Sequence, residues 1–282
     1  MRQRAFTASH GPLWAAMGVV LASVGCAPPG PRAPEAATDA LRHVASVGAP
    51  LNAPVSYLRA GDARGPRVLL VHGTPGSATG WTDYLLDPPP GIELIALDRP
   101  GFGHSGPDGA VTGLAEQAAA VLELLPDDGR AVVLLGHSLG GPVVAWLAAQ
   151  QPSRVTGVVL LAASLDPGLE AIHPMQYVGA WAPLRGLLPR AIRNANAELM
   201  ALKPELQALA LLLPRITAKV VIVHGSKDEL VPVANVPFMQ AQLTGSRCVK
   251  TLLLEGRNHF LPWNSADVVR EALRLALEDG CR

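Results

Sequence analysis

From Arg67 onward, short runs of Val, Leu and Ile alternate with longer segments of helical periodicity. The apolar runs are continuous, which is typical of strands that are buried on both faces of a parallel sheet. Six runs have this character: Arg67–His72, Glu93–Leu97, Ala131–Leu135, Val155–Leu161, Lys219–Val223 and Val249–Leu254. Strands separated by helices in this way predict βαβ units, with helices on both faces of a mostly parallel sheet.

Two further strands are predicted upstream. Val55–Ala60 reads as a strand, and His43–Val47 is expected to pair with it in an antiparallel hairpin, which brings the sheet to about eight strands. Segments of helical periodicity fill the gaps: Gly80–Leu86, Leu114–Leu125, Leu139–Gln150, Val236–Leu243 and Ser265–Glu278. With 282 residues the chain fits one α/β domain, assigned here to residues 41–282.

The alternation stops between Asp166 and Pro214, where prolines and leucine-rich stretches take over. An insertion of about fifty residues inside a compact domain is usually functional. We predict that residues 166–214 form a lid of short helices over the carboxyl ends of the strands, where open α/β sheets bind ligands.

The N-terminus has the layout of an export signal. Arg2 and Arg4 precede an apolar run, Leu13–Val24, that ends in small residues and is too short for a membrane span of about 20 residues. Residues 1–26 are therefore predicted to direct export to the bacterial cell envelope. Residues 27–40, rich in Pro and Ala, are predicted to be a tether, since they contain too little bulky apolar surface to fold.

Residues 21–26, Leu-Ala-Ser-Val-Gly-Cys, resemble a bacterial lipoprotein signal, in which the cysteine becomes the lipidated first residue. The resemblance implies that Cys26 anchors the domain at the periplasmic side of a membrane, with no other membrane contact. Ser23 departs from the pattern, which usually has an aliphatic residue there. Plain export and an uncleaved apolar N-terminus therefore remain as alternatives.

Residues 136–140, Gly-His-Ser-Leu-Gly, place Ser138 directly after an apolar strand and directly before a helical segment. A serine at such a turn is held in a strained conformation, and flanking glycines relieve the crowding. A serine hydroxyl needs a base to remove its proton and an anion pocket to receive the substrate's developing charge. The pattern predicts that Ser138 is a nucleophile.

Residues 72–76, His-Gly-Thr-Pro-Gly, follow an earlier buried strand, where backbone N–H groups can point into the site. The HG-x-P loop together with the GHSxG turn resembles the α/β-hydrolase family. The resemblance implies an oxyanion hole formed by the N–H groups of Thr74 and Leu139. No cofactor is expected, and no histidines have the close spacing of a metal site.

The family's chain order is nucleophile, acid and histidine. Asp228 lies in a Gly-x-x-Asp turn after the strand ending at Val223, and His259 lies in a loop after the last strand. The resemblance implies that His259 is the general base and that Asp228 orients it. Asp166, just past an earlier strand, remains the rival for the acid.

The segment Asp98–Ser105 resembles the family's DxxGxGxS turn, whose role is mainly structural. Phe102 within it, and Trp181 in the predicted lid, are the candidates for lining a substrate pocket.

Elsewhere, Cys248 opens the final strand and Cys281 follows the final helix. A strand of about eight residues and a helix of about fourteen span comparable lengths, roughly 25 and 21 Å, so a Cys248–Cys281 disulfide is predicted.

The resemblance implies that the protein binds a small-molecule acyl substrate and hydrolyses its carboxylic ester through an acyl-enzyme. An amidase or peptidase, a carbon–carbon hydrolase, a haloperoxidase-like enzyme and a non-catalytic binding protein remain as alternatives. For a peptidase, Glu170, Glu198 and Glu205 in the lid are candidates to hold an amine. Lys+Arg and Asp+Glu both number 23, so no nucleic-acid partner is expected. A monomer is expected.

Overall fold

A computed structural model describes residues 35–278. They form an eight-stranded sheet in the order β1-β2-β4-β3-β5-β6-β7-β8. The strands are β1 (Arg42–Val47), β2 (Ala53–Gly61), β3 (Arg67–Val71), β4 (Glu93–Leu97), β5 (Val132–His137), β6 (Val155–Leu161), β7 (Lys219–Gly225) and β8 (Cys248–Leu254). β2 is antiparallel to both β1 and β4, and the other pairs are parallel. The predicted fold class is confirmed, including the N-terminal hairpin.

Helices connect the strands and cover both faces of the sheet. They are α1 (Glu35–Asp39), α2 (Thr82–Leu86), α3 (Leu114–Leu122), α4 (Gly140–Gln150), α5 (Pro174–Ala180), α6 (Ala182–Arg185), α7 (Arg190–Ala210), α8 (Asn235–Gln242), α9 (Leu261–Asn264) and α10 (Ala266–Leu277), with 3₁₀ turns at Ala78–Trp81 and Leu213–Arg215. The predicted helix Gly80–Leu86 is thus a 3₁₀ turn followed by one short helix.

The sheet separates two apolar cores. Leu69 and Val71 of β3 point into the core that α3 and α4 cover, whereas Val68 and Leu70 point into the core that α2 and α10 cover. Successive residues of a strand face opposite sides, so a strand with a core on each side must be apolar throughout. This explains the continuous runs in the sequence. Because the central strands are parallel, their carboxyl ends and following loops meet at one edge.

The predicted tether, residues 27–40, ends earlier than expected. Its last residues form α1, Glu35–Asp39, and Thr38 is buried. The prolines and glycine of this stretch all lie at or before residue 34, and the Ala-rich segment after them suits a helix. Residues 1–34, with the predicted signal and Cys26, lie outside the described residues.

The insertion between β6 and β7 differs from the predicted lid of short helices. α5 and α6 are short, but α7 has 21 residues. The prolines do not limit helix length here, because most of them lie at helix beginnings, where a missing N–H costs nothing. Pro174 and Pro183 are in first turns and Pro189 precedes α7, while Pro204 lies inside it. Among residues 35–278, no helix is both long and apolar enough to span a membrane.

Cys248 is the first residue of β8 and is disulfide-bonded. Its predicted partner, Cys281, lies outside the described residues. The Cys248–Cys281 pairing therefore stays a prediction.

Candidate active site

Ser138 occupies the turn between β5 and α4 with a φ of +54°. A non-glycine residue in this region of backbone space is uncommon and costs on the order of 1–3 kcal/mol, so the surrounding structure must impose it. The Ser138 N–H donates to the Leu161 carbonyl at 3.0 Å. A Cβ on Gly140 would lie 2.3 Å from the Val71 carbonyl oxygen, so only glycine lets α4 begin so close to β3. The motif thus holds the serine in a strained turn at the carboxyl end of the sheet.

The loop after β3 lies against the Ser138 side chain. A Cβ added to Gly73 would be 2.8 Å from Ser138 Cβ and 3.3 Å from its Oγ. Within residues 35–278, neither the Thr74 N–H nor the Leu139 N–H donates a hydrogen bond to the protein. Two backbone donors therefore remain available on the loops that flank the hydroxyl.

His259 and Asp228 form a buried pair in the loops after β8 and β7. The Nδ1 atom of His259 is 2.8 Å from Oδ2 of Asp228. The other carboxylate oxygen accepts the backbone N–H groups of Leu230 at 3.0 Å and Val231 at 2.8 Å. With Oδ1 held by the backbone, Oδ2 is presented to the imidazole. Nδ1 then carries the proton, which leaves Nε2 as a hydrogen-bond acceptor.

Asp166, the rival acid, does not contact His259. Its Oδ1 accepts the backbone N–H of Gly168 at 2.8 Å, and its own N–H donates to Asn235 at 2.8 Å. The first bond is local to the turn after β6, and the second joins that turn to the beginning of α8. Of the two candidate acids, only Asp228 is placed against the imidazole.

His137 links Ser138 to the His259 loop. Its ring centroid lies 4.8 Å from that of His259, and its Nε2–H donates to the His259 carbonyl at 3.0 Å. Burial, and next the neighbouring His259, lower the pKa of His137 to about 3. The ring is therefore neutral at physiological pH. Sequence reasoning assigned His137 no role; its place directly before the serine was the available signal.

His224 supports the same pair from β7. Its Nε2–H donates to the Val231 carbonyl at 2.9 Å, and the same nitrogen lies 3.6 Å from Asp228 Oδ2. Burial lowers the pKa of His224 below its ordinary value. The neutral His224 imidazole thus stabilises the turn that presents Asp228 without placing a positive charge beside that carboxylate.

The two residues proposed to line a pocket lie in very different places. Phe102 is 1% exposed, with its ring edge against His72 and the Arg99 guanidinium over its face. The turn folds this ring into the protein, and its proposed role in lining a pocket stays a prediction. Trp181 lies between α5 and α6 and is 61% exposed. Its proposed role in substrate binding stays a prediction.

A cleft of about 370 Å³ lies between the insertion and the loop that carries Asp108 and Gly109. Its lining residues are Asp108, Gly109, Ala180, Ala182, Arg185, Gly186 and Arg193. None of these residues belongs to the site around Ser138, so the cleft does not define the substrate.

No group of His, Cys, Asp and Glu side chains among residues 35–278 could hold a metal ion.

Comparison with known proteins agrees with the fold. A family model described as alpha/beta hydrolase fold matches residues 66–186. The dihydrolipoyllysine-residue acetyltransferase component of the acetoin cleaving system of Cupriavidus necator is 39% identical over 109 residues, which are 38% of this chain and 29% of that protein. The pimeloyl-[acyl-carrier protein] methyl ester esterase of Vibrio campbellii is 34% identical over 137 residues, 49% of this chain and 48% of that protein. The chain thus spans about half or less of the length of these curated relatives.

Among solved structures, a membrane phospholipase A described as a bacterial virulence factor superposes with a TM-score of 0.63 at 22% identity, covering 93% of each chain. The family match, the sheet order and this superposition agree. The chain has the α/β-hydrolase fold.

The buried neutral histidines predict that stability falls in acid. The folded pKa of His137 is about 3, below its unfolded value of about 6.5, so only the unfolded state gains this proton as the pH falls between these values. We expect His137 to contribute a slope of about 1.4 kcal/mol per pH unit within that window, with His72 and His224 acting in the same direction.

Urea unfolding of wild type and His137→Gln at pH 4.5, 5.5 and 6.5 measures this slope. The variant keeps a donor for the His259 carbonyl but cannot take up a proton. The free energy of unfolding should therefore change less steeply with pH, by about 1.4 kcal/mol per pH unit, which corresponds to one proton. Equal slopes in the two proteins, at unchanged m-values, would contradict the assignment.

Proposed function

We propose that this chain is a serine hydrolase that cleaves carboxylic esters through an acyl-enzyme, with Ser138 as nucleophile, His259 as general base and Asp228 as the acid. The observation that carries the proposal is the Asp228–His259 hydrogen bond of 2.8 Å, in a loop whose His259 carbonyl is bound at 3.0 Å by His137, the residue before Ser138. Contact of the His259 ring with the ring of His137, the residue before Ser138, at 4.8 Å between centroids supports placing the imidazole at the hydroxyl.

In the proposed reaction, Nε2 of His259 removes the Ser138 proton as Oγ forms a bond to the substrate carbonyl carbon. The carbonyl electron pair moves to oxygen, and the N–H groups of Thr74 and Leu139 stabilise that charge. Collapse of the tetrahedral intermediate breaks the bond to the leaving alcohol, which takes the proton from His259. Water, deprotonated by His259, then attacks the acyl carbon, and collapse of this second intermediate releases the carboxylic acid while His259 returns the proton to Ser138 Oγ.

The lid glutamates do not favour the peptidase alternative. Glu198 is paired with Arg99, Glu205 accepts the Leu114 N–H at 2.8 Å, and Glu170 is hydrogen-bonded to the Ser164 hydroxyl. A carboxylate that binds a substrate amine must be free to receive it. The methyl ester esterase of Vibrio campbellii, by its name, also points to an ester.

Export and lipid attachment at Cys26 are part of the proposal, as is the Cys248–Cys281 disulfide. Palmitate labelling that is lost in Cys26→Ser would support the anchor, while labelling of neither protein would refute it. Two reactive thiols at Cys248 and Cys281 on alkylation without reductant would refute the disulfide.

The test of the reaction combines a fluorophosphonate probe with nitrophenyl esters of increasing acyl chain length and matched nitroanilides. We expect stoichiometric labelling of Ser138 and turnover of the esters well above that of the anilides. The chain-length optimum would define the acyl pocket. A folded wild-type protein that neither reacts with the probe nor hydrolyses any ester would refute the proposed function and favour a binding protein.

The orienting role predicted for Asp228 can be tested by Asp228→Asn. The amide donates where the carboxylate accepted, which favours the wrong tautomer of His259, so we expect kcat to fall by about 10⁴-fold with little change in KM. Asp166→Asn is the matched control and should keep wild-type activity. Loss of activity in the control alone would transfer the acid's role to Asp166.

A further inference from the structure

Glu198 lies in the middle of the buried face of α7. Its neighbours on that face are mostly apolar: Ile192, Ala195, Leu202, Leu206 and Leu209. The side chain is 1% exposed, and a carboxylate in such surroundings must be paired. Arg99, fully buried, provides a two-point contact, with Nη1 at 2.6 Å from Oε1 and Nη2 at 3.1 Å from Oε2. Gln117 Nε2 donates to Oε1 at 2.8 Å.

The contacts of this pair continue to the loop that carries Thr74. Nη2 of Arg99 donates to the Gly73 carbonyl at 2.9 Å, and its Nε donates to the His72 carbonyl at 2.9 Å. The Thr74 hydroxyl donates to Oε2 of Glu198 at 2.6 Å. The insertion therefore holds this loop both through Arg99 and through the Thr74 side chain.

These contacts orient one peptide group. The Gly73 carbonyl also accepts the Nδ1–H of His72 at 2.7 Å. That tautomer is set by the Arg99 N–H, which donates to His72 Nε2 at 3.0 Å. Burial, with the Arg99 cation, holds the pKa of His72 well below its usual value, so the ring stays neutral. The Gly73–Thr74 peptide is not among the cis bonds, so its C=O and N–H point in opposite directions.

We propose that Glu198 is a positioning residue that aims the oxyanion-hole N–H of Thr74, by holding Arg99 on the Gly73 carbonyl and by binding the Thr74 hydroxyl. The inference rests on the proposed function. With two donors fixing the carbonyl, rotation of the peptide would cost hydrogen bonds in a buried site, so the N–H direction is set before substrate arrives. The oxyanion hole is then complete only when α7 is docked on the loops after β3 and β4.

Thr74→Val is the most direct variant, because it removes one hydroxyl and keeps the side-chain shape, the backbone N–H and the Arg99–Glu198 pair. Misplacement of a catalytic group by a fraction of an ångström costs about tenfold in rate, and the loss belongs to the transition state. We expect kcat per active site to fall about tenfold with KM within about twofold. Thr74→Ser, which restores the hydroxyl, should recover most of this loss.

A second measurement separates positioning from folding. Butylboronic acid forms a reversible tetrahedral adduct with an active serine, so its inhibition constant reports on the oxyanion hole. In Thr74→Val and in Glu198→Gln, this constant should rise by the same factor as kcat falls, with active sites counted by fluorophosphonate titration. Glu205→Gln, on the same helix but away from the Thr74 loop, is the matched control and should leave both quantities unchanged.

The outcomes distinguish the two proposals. Wild type that is inert to both the fluorophosphonate and the esters refutes the proposed function itself. Wild type that is active, with Thr74→Val equal to it in kcat and boronate affinity, overturns the positioning role and leaves the function standing. A lower melting temperature without a change in either quantity per active site also overturns it, because that result describes a purely structural contact.

Discussion

Replacing Ser138 with alanine is expected to lower kcat for nitrophenyl esters by about 10⁶-fold, because the remaining groups of a catalytic triad cannot act without the nucleophile. Labelling by the fluorophosphonate should vanish. The fold should persist, since alanine accepts the same backbone conformation at the same cost and the hydroxyl makes no hydrogen bond within residues 35–278. The measurement is steady-state and single-turnover kinetics, with thermal unfolding as the check on folding.

Ser77→Ala is the matched control for this experiment. Ser77 lies just after the Thr74 loop, and within residues 35–278 its hydroxyl is hydrogen-bonded only to Thr79, at 2.7 Å, so activity should stay within about twofold of wild type. Ester turnover that survives in Ser138→Ala at more than about one per cent would remove Ser138 from its role. Ser138→Gly should be at least as stable as Ser138→Ala, because glycine adopts a positive φ without strain.

The second large effect is on stability. Arg99→Met should lower the free energy of unfolding by about 3–5 kcal/mol, because it leaves the buried Glu198 carboxylate without its cation. It also removes the donors that reach the carbonyls of His72 and Gly73. Urea unfolding near pH 7, analysed at constant m-value, measures the loss.

A double variant tests whether the unpaired charge is the cause. Arg99→Met combined with Glu198→Met removes both charges, and we expect it to regain at least half of the stability that the single variant loses. Additive losses would show that packing and the carbonyl contacts dominate. Activity should not return in the double variant, because the Gly73 carbonyl does not regain its Arg99 donor and the Thr74 hydroxyl does not regain its Glu198 acceptor.

The strands were predictable because each central strand faces a core on both sides. Val155–Leu161 and Glu93–Leu97 were predicted with the bounds that the structure has. Prediction was poorer where the position of a residue in the sequence does not determine its surroundings in the fold. In the insertion, Pro174, Pro183 and Pro189 lie at or before helix beginnings, and α7 has 21 residues where only short helices were predicted. Likewise, a turn motif does not say which way its aromatic ring points, and the structure places the Phe102 ring inside the protein.

The Arg99–Glu198 pair shows a limit of another kind. Arg99 lies in a motif identified from the sequence, and Glu198 was noted only as a carboxylate that can hold an amine. The two residues are 99 positions apart, and only the docking of α7 brings them within 2.6 Å. No local pattern connects a helix in an insertion with a loop two strands earlier.

The sequence by itself determined the class of fold and the serine turn, because apolar periodicity and the crowding around a strained residue are local properties. It also left two candidates, Asp228 and Asp166, for the acid of the proposed triad. Only the tertiary structure shows which of them lies against the histidine, since a hydrogen bond of 2.8 Å joins Asp228 to His259, while the Asp166 carboxylate is bound to its own turn. Tertiary structure likewise gave Glu198 and His137 their contacts, because a buried polar group takes its partner from whatever element packs against it.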